Sequence, residues 1–120
     1  MMTETDKDIL KFATSFRNGI VGRKKSKMRC YMVCAPLATL LCMNGVACRL
    51  IQGEVDYADT WCNHFWIELA DGRVLDPTAD QFNGLGDLPS LPKVYLGPPS
   101  KIHAIATLTP SSHVGHEFLI

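Results

Sequence analysis

Cysteine, histidine and aspartate residues occur along this chain in an order that suits nucleophilic thiol catalysis. Cys30 and Cys34 stand at the start of an apolar segment, His64 follows in NHFWIEL, and Asp76 follows in VLDPTADQF. A reactive thiol needs a lowered pKa, which a helix N-terminus and a neighbouring imidazolium can provide. A third group must orient the imidazole. These residues therefore supply a candidate nucleophile, base and orienting acid.

The two cysteines lie at the beginning of a predicted central helix. Residues 30–44 are almost all apolar and end at Asn44-Gly45, which is typical of a helix C-cap. Pro36 leaves the first residue of the helix open. A proline in the first turn favours a start near Cys34, whereas a start at Cys30 puts it in the interior, at a cost of about 3 kcal/mol.

A predicted hairpin carries the histidine and the acid. Segments 46–55, 63–70 and 73–76 have the patterns of strands, and Asp71-Gly72 is typical of a two-residue turn. With that turn, residues whose numbers add up to about 143 face each other. Asp76 is then opposite Ile67 and within a few residues of His64.

The rest of the chain predicts one more helix, a long connection and a last strand. Apolar residues recur at helical spacing from Ile9 to Phe16, after a capping pattern at Thr5 and before a stop at Asn18-Gly19. Residues 83–100 are rich in glycine and proline, and 101–108 could form a final strand. The fold class is therefore α+β, with a central helix on a small antiparallel sheet, in a single domain over residues 1–120.

Composition and net charge argue against some classes of partner and indicate the cellular compartment. The chain has 12 basic and 12 acidic residues and no net charge, so no overall field favours nucleic acid or an anionic membrane. No apolar run approaches the roughly 20 residues of a membrane span, and the N-terminus lacks a signal pattern. Five cysteines are an odd number, which argues against a disulfide framework. We expect a cytoplasmic protein with reduced thiols.

The motifs resemble the transglutaminase-like branch of the papain-like cysteine enzymes over about residues 28–82. The resemblance depends on Cys30-Tyr31, on HFWIEL after NGVACRLIQGEV, and on VLDPTADQF. It implies a papain-like core in which the cysteine begins a helix and the histidine and aspartate lie on adjacent strands. It also implies that Cys30 is the nucleophile, His64 the general base and acid, and Asp76 the orienting acid. In the families that the chain resembles, the spacing back from Gly45 implies Cys30 and not Cys34 as the nucleophile.

The implied function is thiol-dependent hydrolysis or acyl transfer at an amide bond, as in a peptidase, deamidase or transglutaminase. The substrate would be a peptide, a protein or a small amide, and no metal or organic cofactor is needed. Tyr31, Trp66 and Gln81 lie within the matching strings and are candidates for substrate contact, although Gln81 receives no catalytic role. A catalytically inactive member of the same fold, acting as a protein-interaction module, is the alternative.

A structural zinc site is a further alternative. Cys30, Cys34, Cys62 and His64 could supply four ligands, and the last two are two apart on a predicted strand. Such a site gives Asp76 and the DPTADQF string no role, so the sequence favours the triad. The remaining cysteines, Cys42 and Cys48, are expected in the core. The remaining histidines, His103, His113 and His116, are expected at the surface.

Overall fold

The computed structural model describes residues 4–22, 30–57 and 60–106 of the chain. Two α-helices come first, α1 at Glu4–Val21 and α2 at Cys30–Met43. The strands follow, in the order β1 at Cys48–Tyr57, β2 at Thr60–Leu69, β3 at Val74–Asp76, β4 at Tyr95–Gly97 and β5 at Ile105–Ala106. Short 3₁₀ helices precede β4 and β5, namely η1 at Ala79–Phe82 and η2 at Lys101–His103.

The strands form one antiparallel sheet in the order β4-β3-β2-β1-β5. Helix α2 lies against β1 and β2, and α1 packs on α2. The main core lies between α2 and the sheet, where Leu37 and Leu41 meet Leu50, Ile67 and Leu75. The predicted α+β class with an antiparallel sheet is confirmed.

Helix α2 begins at Cys30 and continues through Pro36 to Met43. Proline cannot donate a hydrogen bond to the carbonyl four residues earlier, which belongs to Met32. Both residues are exposed, so water can hydrate that carbonyl. The helix is closed as predicted at Asn44-Gly45, just beyond Met43. Gly45 has a φ of 84°, and the Val46 N–H donates to the Leu41 carbonyl at 2.9 Å.

Helix α1 extends one turn beyond its predicted end. It continues past Asn18-Gly19 and stops at Gly22, which has a φ of 73° and donates its N–H to the Asn18 carbonyl at 2.9 Å. The predicted stop was wrong because the left-handed residue that closes the helix is Gly22. The predicted cap at Thr5 was also wrong, since Thr5 lies inside the first turn.

The β2–β3 hairpin has a different register from the predicted one. The Leu69 N–H donates to the Arg73 carbonyl at 2.9 Å across a three-residue loop, in which Gly72 has a φ of 90°. Ile67 therefore pairs with Leu75, and the same register carries Asp76 opposite Trp66. Directly opposed residues share one face of a sheet, so this shift moves Asp76 to the face that bears His64.

After β3 the chain differs from the prediction in two places. The connection predicted over 83–100 contains strand β4, which pairs with β3. The expected strand over 101–108 consists of η2 followed by the two residues of β5, and residues 107 and 108 lie outside the described ranges. The basic run 23–27 also lies outside them. None of the described helices combines the length and the apolar character needed to cross a membrane.

Candidate active site

The thiol of Cys30 and the imidazole of His64 meet where the start of α2 approaches β2. Cys30 is the first residue of α2 and is 9% exposed, while His64 on β2 is fully buried. The sulfur interacts by hydrogen bonding with the His64 side chain and with the backbone of Phe65. Because Cys30 occupies the helix N-terminus, the helix dipole also favours a negative sulfur there.

A short hydrogen bond connects His64 to Asp76. The distance from His64 Nε2 to Asp76 Oδ2 is 2.6 Å, and both side chains are completely buried. Burial alone would lower the pKa of His64, but the Asp76 carboxylate outweighs it and raises the pKa to about 9. Burial would raise the pKa of Asp76, yet His64 and a second imidazole hold it well below its usual range. The pair is therefore an imidazolium and a carboxylate at neutral pH.

The Cys30 thiol is activated by this imidazolium. Burial raises the pKa of a thiol, but hydrogen bonding and charge attraction from His64 more than compensate, so the pKa of Cys30 is lowered. A thiolate is the nucleophilic form of cysteine. The arrangement can therefore hold a thiolate and imidazolium pair before any substrate arrives.

Cys34 lies one turn further along α2 in a different environment. Its side chain is fully buried, and its S–H donates to the Phe65 carbonyl at 3.3 Å. Burial raises the pKa of Cys34 far above the usual thiol value. Of the two candidate nucleophiles, the structure brings Cys30 to His64 and leaves Cys34 as a core thiol.

Gln81 contacts both the imidazole of His64 and the thiol of Cys30. It lies on η1, which begins shortly after Asp76. Its Nε2 is 2.7 Å from His64 Nδ1, and its side chain also hydrogen bonds with the Cys30 sulfur. When the sulfur carries the proton shared with His64, Nδ1 can accept a hydrogen bond from the Gln81 amide. When Nδ1 carries that proton, the thiolate can accept the hydrogen bond from the amide instead. The sequence assigns Gln81 no catalytic role, whereas the structure brings its amide to the imidazole and the thiol.

The Asp-Pro-Thr sequence explains how Asp76 and Gln81 come together. The Thr78 N–H donates to Asp76 Oδ1 at 3.1 Å, which forms a tight turn directly after β3. The Gln81 N–H then donates to the Thr78 carbonyl at 3.2 Å and so begins η1. One local turn therefore fixes the acid and places the amide five residues later.

His103 is a further residue of this site, and its predicted place at the surface is wrong. The structure buries it, with 6% exposure, and places its Nε2 at 2.7 Å from Asp76 Oδ2. No local signal could have found this contact, because His103 is 27 residues from Asp76 along the chain. His113 and His116 lie outside the described residues.

The predicted substrate contacts have different environments. Tyr31 is 52% exposed, next to Cys30, and meets Phe65 edge to face at a centroid distance of 4.9 Å. Trp66 is only 3% exposed and packs against the rings of His64 and His103. Trp66 therefore supports the two imidazoles from within the core, which corrects the expectation of a substrate contact there.

Metal ligation does not fit the hydrogen bonding of this cluster. Among the described residues, His64, Asp76 and His103 form the group whose ligand atoms lie within 4.8 Å of one another, and Cys30, Cys34 and Cys62 are not part of it. The Ser100 N–H donates to His103 Nδ1 at 3.0 Å, so the proton of the neutral ring is on Nε2. A metal ligand needs a lone pair at that nitrogen. The predicted four-ligand zinc site is not assembled here.

Comparisons with known proteins give no family for the chain. Protein-family models, curated proteins and solved structures were all searched, and none of them matches.

Proposed function

We propose that this protein is a thiol-dependent hydrolase or acyl transferase of the transglutaminase-like, papain-like kind, acting on an amide bond. Cys30 is the nucleophile, His64 the general base and acid, and Asp76 the residue that orients and charges the imidazole. The main supporting observation is the buried contact of 2.6 Å between His64 and Asp76. The imidazole of that His64 also hydrogen bonds with the Cys30 sulfur.

The first chemical step is attack of the Cys30 thiolate on the substrate carbonyl carbon. A C–S bond forms, the C=O π bond opens, and negative charge collects on the oxygen. The backbone N–H of Cys30, at the helix N-terminus, and the Gln81 amide are the candidate donors for this oxyanion. Gln81 is suited to this role because its amide already hydrogen bonds with the sulfur.

The second step transfers the proton from His64 Nδ1 to the leaving amine as the C–N bond breaks. This leaves an acyl group on the Cys30 sulfur and a neutral imidazole. His64 then accepts a proton from water or from an acceptor amine, which attacks the thioester and regenerates the thiolate. Water as the acceptor gives hydrolysis or deamidation, and an amine gives transfer.

The test is the rate of iodoacetamide labelling of each cysteine between pH 5 and pH 10, with the labelled residue located by mass spectrometry. We expect Cys30 to label fast near pH 6 in the wild type and slowly in His64→Ala, because the imidazolium maintains the thiolate. Cys34→Ala is the matched control and should leave the Cys30 profile unchanged. Slow labelling of every cysteine, with an apparent pKa of about 8.5 or higher, would exclude an activated thiol.

A partner-binding module without turnover is the second candidate function. It is favoured by large apolar side chains at the surface, since Tyr31, Met32 and Trp61 are 52%, 54% and 56% exposed. Tyr31 and Met32 directly follow Cys30 on α2. Slow labelling in the experiment above would favour this candidate, whereas fast labelling of Cys30 would favour the enzyme.

A further inference from the structure

We infer that His103 is a positioning residue of this active site. It acts through Asp76, as the last member of a hydrogen-bonded series that runs from Cys30 through His64 and Asp76 to His103. The inference rests on the proposed function, because it assigns a further residue to the same chemistry. His103 does not touch the thiol, so any effect on the reaction must pass through the carboxylate.

The two imidazoles donate to one oxygen of Asp76. His64 Nε2 is 2.6 Å from Oδ2, and His103 Nε2 is 2.7 Å from the same atom. The other oxygen, Oδ1, accepts the Thr78 N–H at 3.1 Å. Donors on both oxygens prevent the carboxylate from rotating, so Oδ2 stays directed at His64.

The direction of the His103 hydrogen bond follows from its other nitrogen. Nδ1 lies 3.0 Å from the Ser100 N–H, which can only donate. Nδ1 is therefore the acceptor, Nε2 carries the proton, and Asp76 receives it. His103 thus donates its Nε2–H to the ionised carboxylate and stabilises it.

The ring of His103 is held by its neighbours. Tyr95 stacks on it with ring centroids 5.8 Å apart, and Trp66 meets its edge at 5.1 Å. Ile102, the preceding residue of η2, is fully buried in a separate apolar cluster and anchors this segment. The ring cannot leave Asp76 without disturbing both aromatic contacts.

Within residues 4–22, 30–57 and 60–106, few titratable groups surround this contact. His64 from β2, Asp76 from β3 and Tyr95 from β4 face His103. Lys101, on η2 itself, is exposed and pairs with Asp87 at 2.6 Å. A pH effect of changing His103 therefore reports on the His64 and Asp76 pair and on the thiol that His64 contacts.

The test compares His103→Gln with His103→Asn in the full chain. The Gln amide nitrogen can reach the position of Nε2 and donate to Asp76, whereas the Asn side chain reaches only the position of Nδ1 and keeps the Ser100 contact. The measured quantity is the pH midpoint of iodoacetamide labelling at Cys30, with the His64 imidazole pKa followed by NMR. Ile102→Val serves as a control that loses packing in η2 without touching Asp76.

We expect His103→Asn to move the labelling midpoint up by about one pH unit and to lower the His64 pKa similarly, because Oδ2 of Asp76 is then no longer held towards His64 by a second donor. His103→Gln should recover at least half of that shift, and Ile102→Val should not move the midpoint. An unchanged midpoint in His103→Asn, with fast wild-type labelling, would overturn this inference alone. Equal shifts in both variants would also overturn it, since the N–H would then be irrelevant. Slow wild-type labelling of Cys30 would reject the proposed function, and this inference with it.

Discussion

At the residue scale, the buried carboxylate of Asp76 determines the charge of its neighbours. A carboxylate without water is stable only if hydrogen bonds and a nearby cation compensate for its lost hydration. His64 supplies the cation, and His103 and Thr78 supply further donors. The thiol of Cys30 then lies beside a fixed positive charge, which is the condition for a thiolate at neutral pH.

This pairing predicts how stability changes with pH. The pKa of His64 is raised from 6.5 to about 9 by folding, so its stabilising contribution is complete below pH 6.5 and is lost as the pH rises through 9. The loss is at most about 3 kcal/mol. Folding holds the pKa of Asp76 below its usual value of 3.8, so its contribution is lost as the pH falls below that value.

Urea unfolding of Cys30→Ala at pH 6.5 and pH 8.0 measures the alkaline part of this dependence for His64 alone, because in the wild type the proton that Cys30 loses on folding offsets the one that His64 gains. The free energy of unfolding of Cys30→Ala should decrease clearly over this interval. When Asp76→Asn is added to Cys30→Ala the decrease should be much smaller, because His64 then has no carboxylate to raise its pKa. Equal decreases in the two proteins would show that His64 is not the group responsible.

At the element scale, two arginines tie α1 to the rest of the molecule in contrasting environments. Arg17 is fully buried and lies 3.7 Å from Asp80 on η1, the residue before Gln81. Arg73, on the β2–β3 hairpin, reaches Asp6 of α1 at 2.9 Å, and its side chain is 34% exposed. The first ion pair is desolvated, and the second is hydrated and screened.

The difference predicts unequal losses of stability. Arg17→Ala should lower the free energy of unfolding by about 3 kcal/mol, because it removes a buried cation from beside the buried Asp80 carboxylate. Arg73→Ala should cost between about 0 and 1 kcal/mol, as exposed pairs do. Urea unfolding of both variants measures this, and a larger loss in Arg73→Ala would contradict it. Because Gln81 adjoins Asp80, Arg17→Ala should also slow Cys30 labelling.

Gly72 and Gly19 test how much stability depends on the backbone conformation at a glycine. Gly72 lies in the loop that sets the hairpin register, and Gly19 is the comparison. Gly72 has a φ of 90° in the hairpin loop, whereas Gly19 lies inside α1, and neither would meet an atom within 4 Å on gaining a Cβ. Gly72→Ala should destabilise by about 1 kcal/mol, since alanine disfavours positive φ. Gly19→Ala should stabilise by up to about 1 kcal/mol through helix propensity. Thermal unfolding of both checks the opposite signs, and equal signs would refute the argument.

At the scale of the whole molecule, the cysteines differ in how much of the fold must open before they react. Cys34, Cys42 and Cys48 are 0%, 1% and 0% exposed, and all lie in the core between α2 and the sheet. Burial also raises the pKa of Cys34 and Cys48. Exposing these thiols requires separating α2 from the sheet, which removes the main core.

Their labelling should therefore follow global unfolding. In low urea at pH 7.5 we expect Cys34, Cys42 and Cys48 to label at one common slow rate, which rises as the free energy of unfolding falls. Cys30 should label at a rate that does not depend on stability. Mass spectrometry of each peptide over time measures these rates. Fast labelling of a core cysteine in the stable protein would mean that this core opens locally.

The sequence by itself determined the features that depend on neighbouring residues. An unbroken apolar run ending at Asn44-Gly45 predicted α2, and alternating segments around Asp71-Gly72 predicted the strands of an antiparallel sheet. The order of Cys30, His64 and Asp76, together with the family resemblance, predicted a triad, and the structure brings these three side chains together, while their catalytic roles stay a prediction. The helix and the strands were predicted correctly because helical periodicity, strand alternation and turn residues act within a few residues.

Only the tertiary structure decided which cysteine lies beside His64, which face of the sheet Asp76 occupies, and which residues surround these side chains. Packing of α2 on the sheet brings Cys30 to His64 and buries Cys34, although Pro36 alone favoured a later helix start. One extra loop residue shifts the hairpin register and turns Asp76 towards His64. His103 reaches Asp76 across 27 residues of chain. Such contacts depend on how distant segments pack, and no local pattern of residue types encodes that packing.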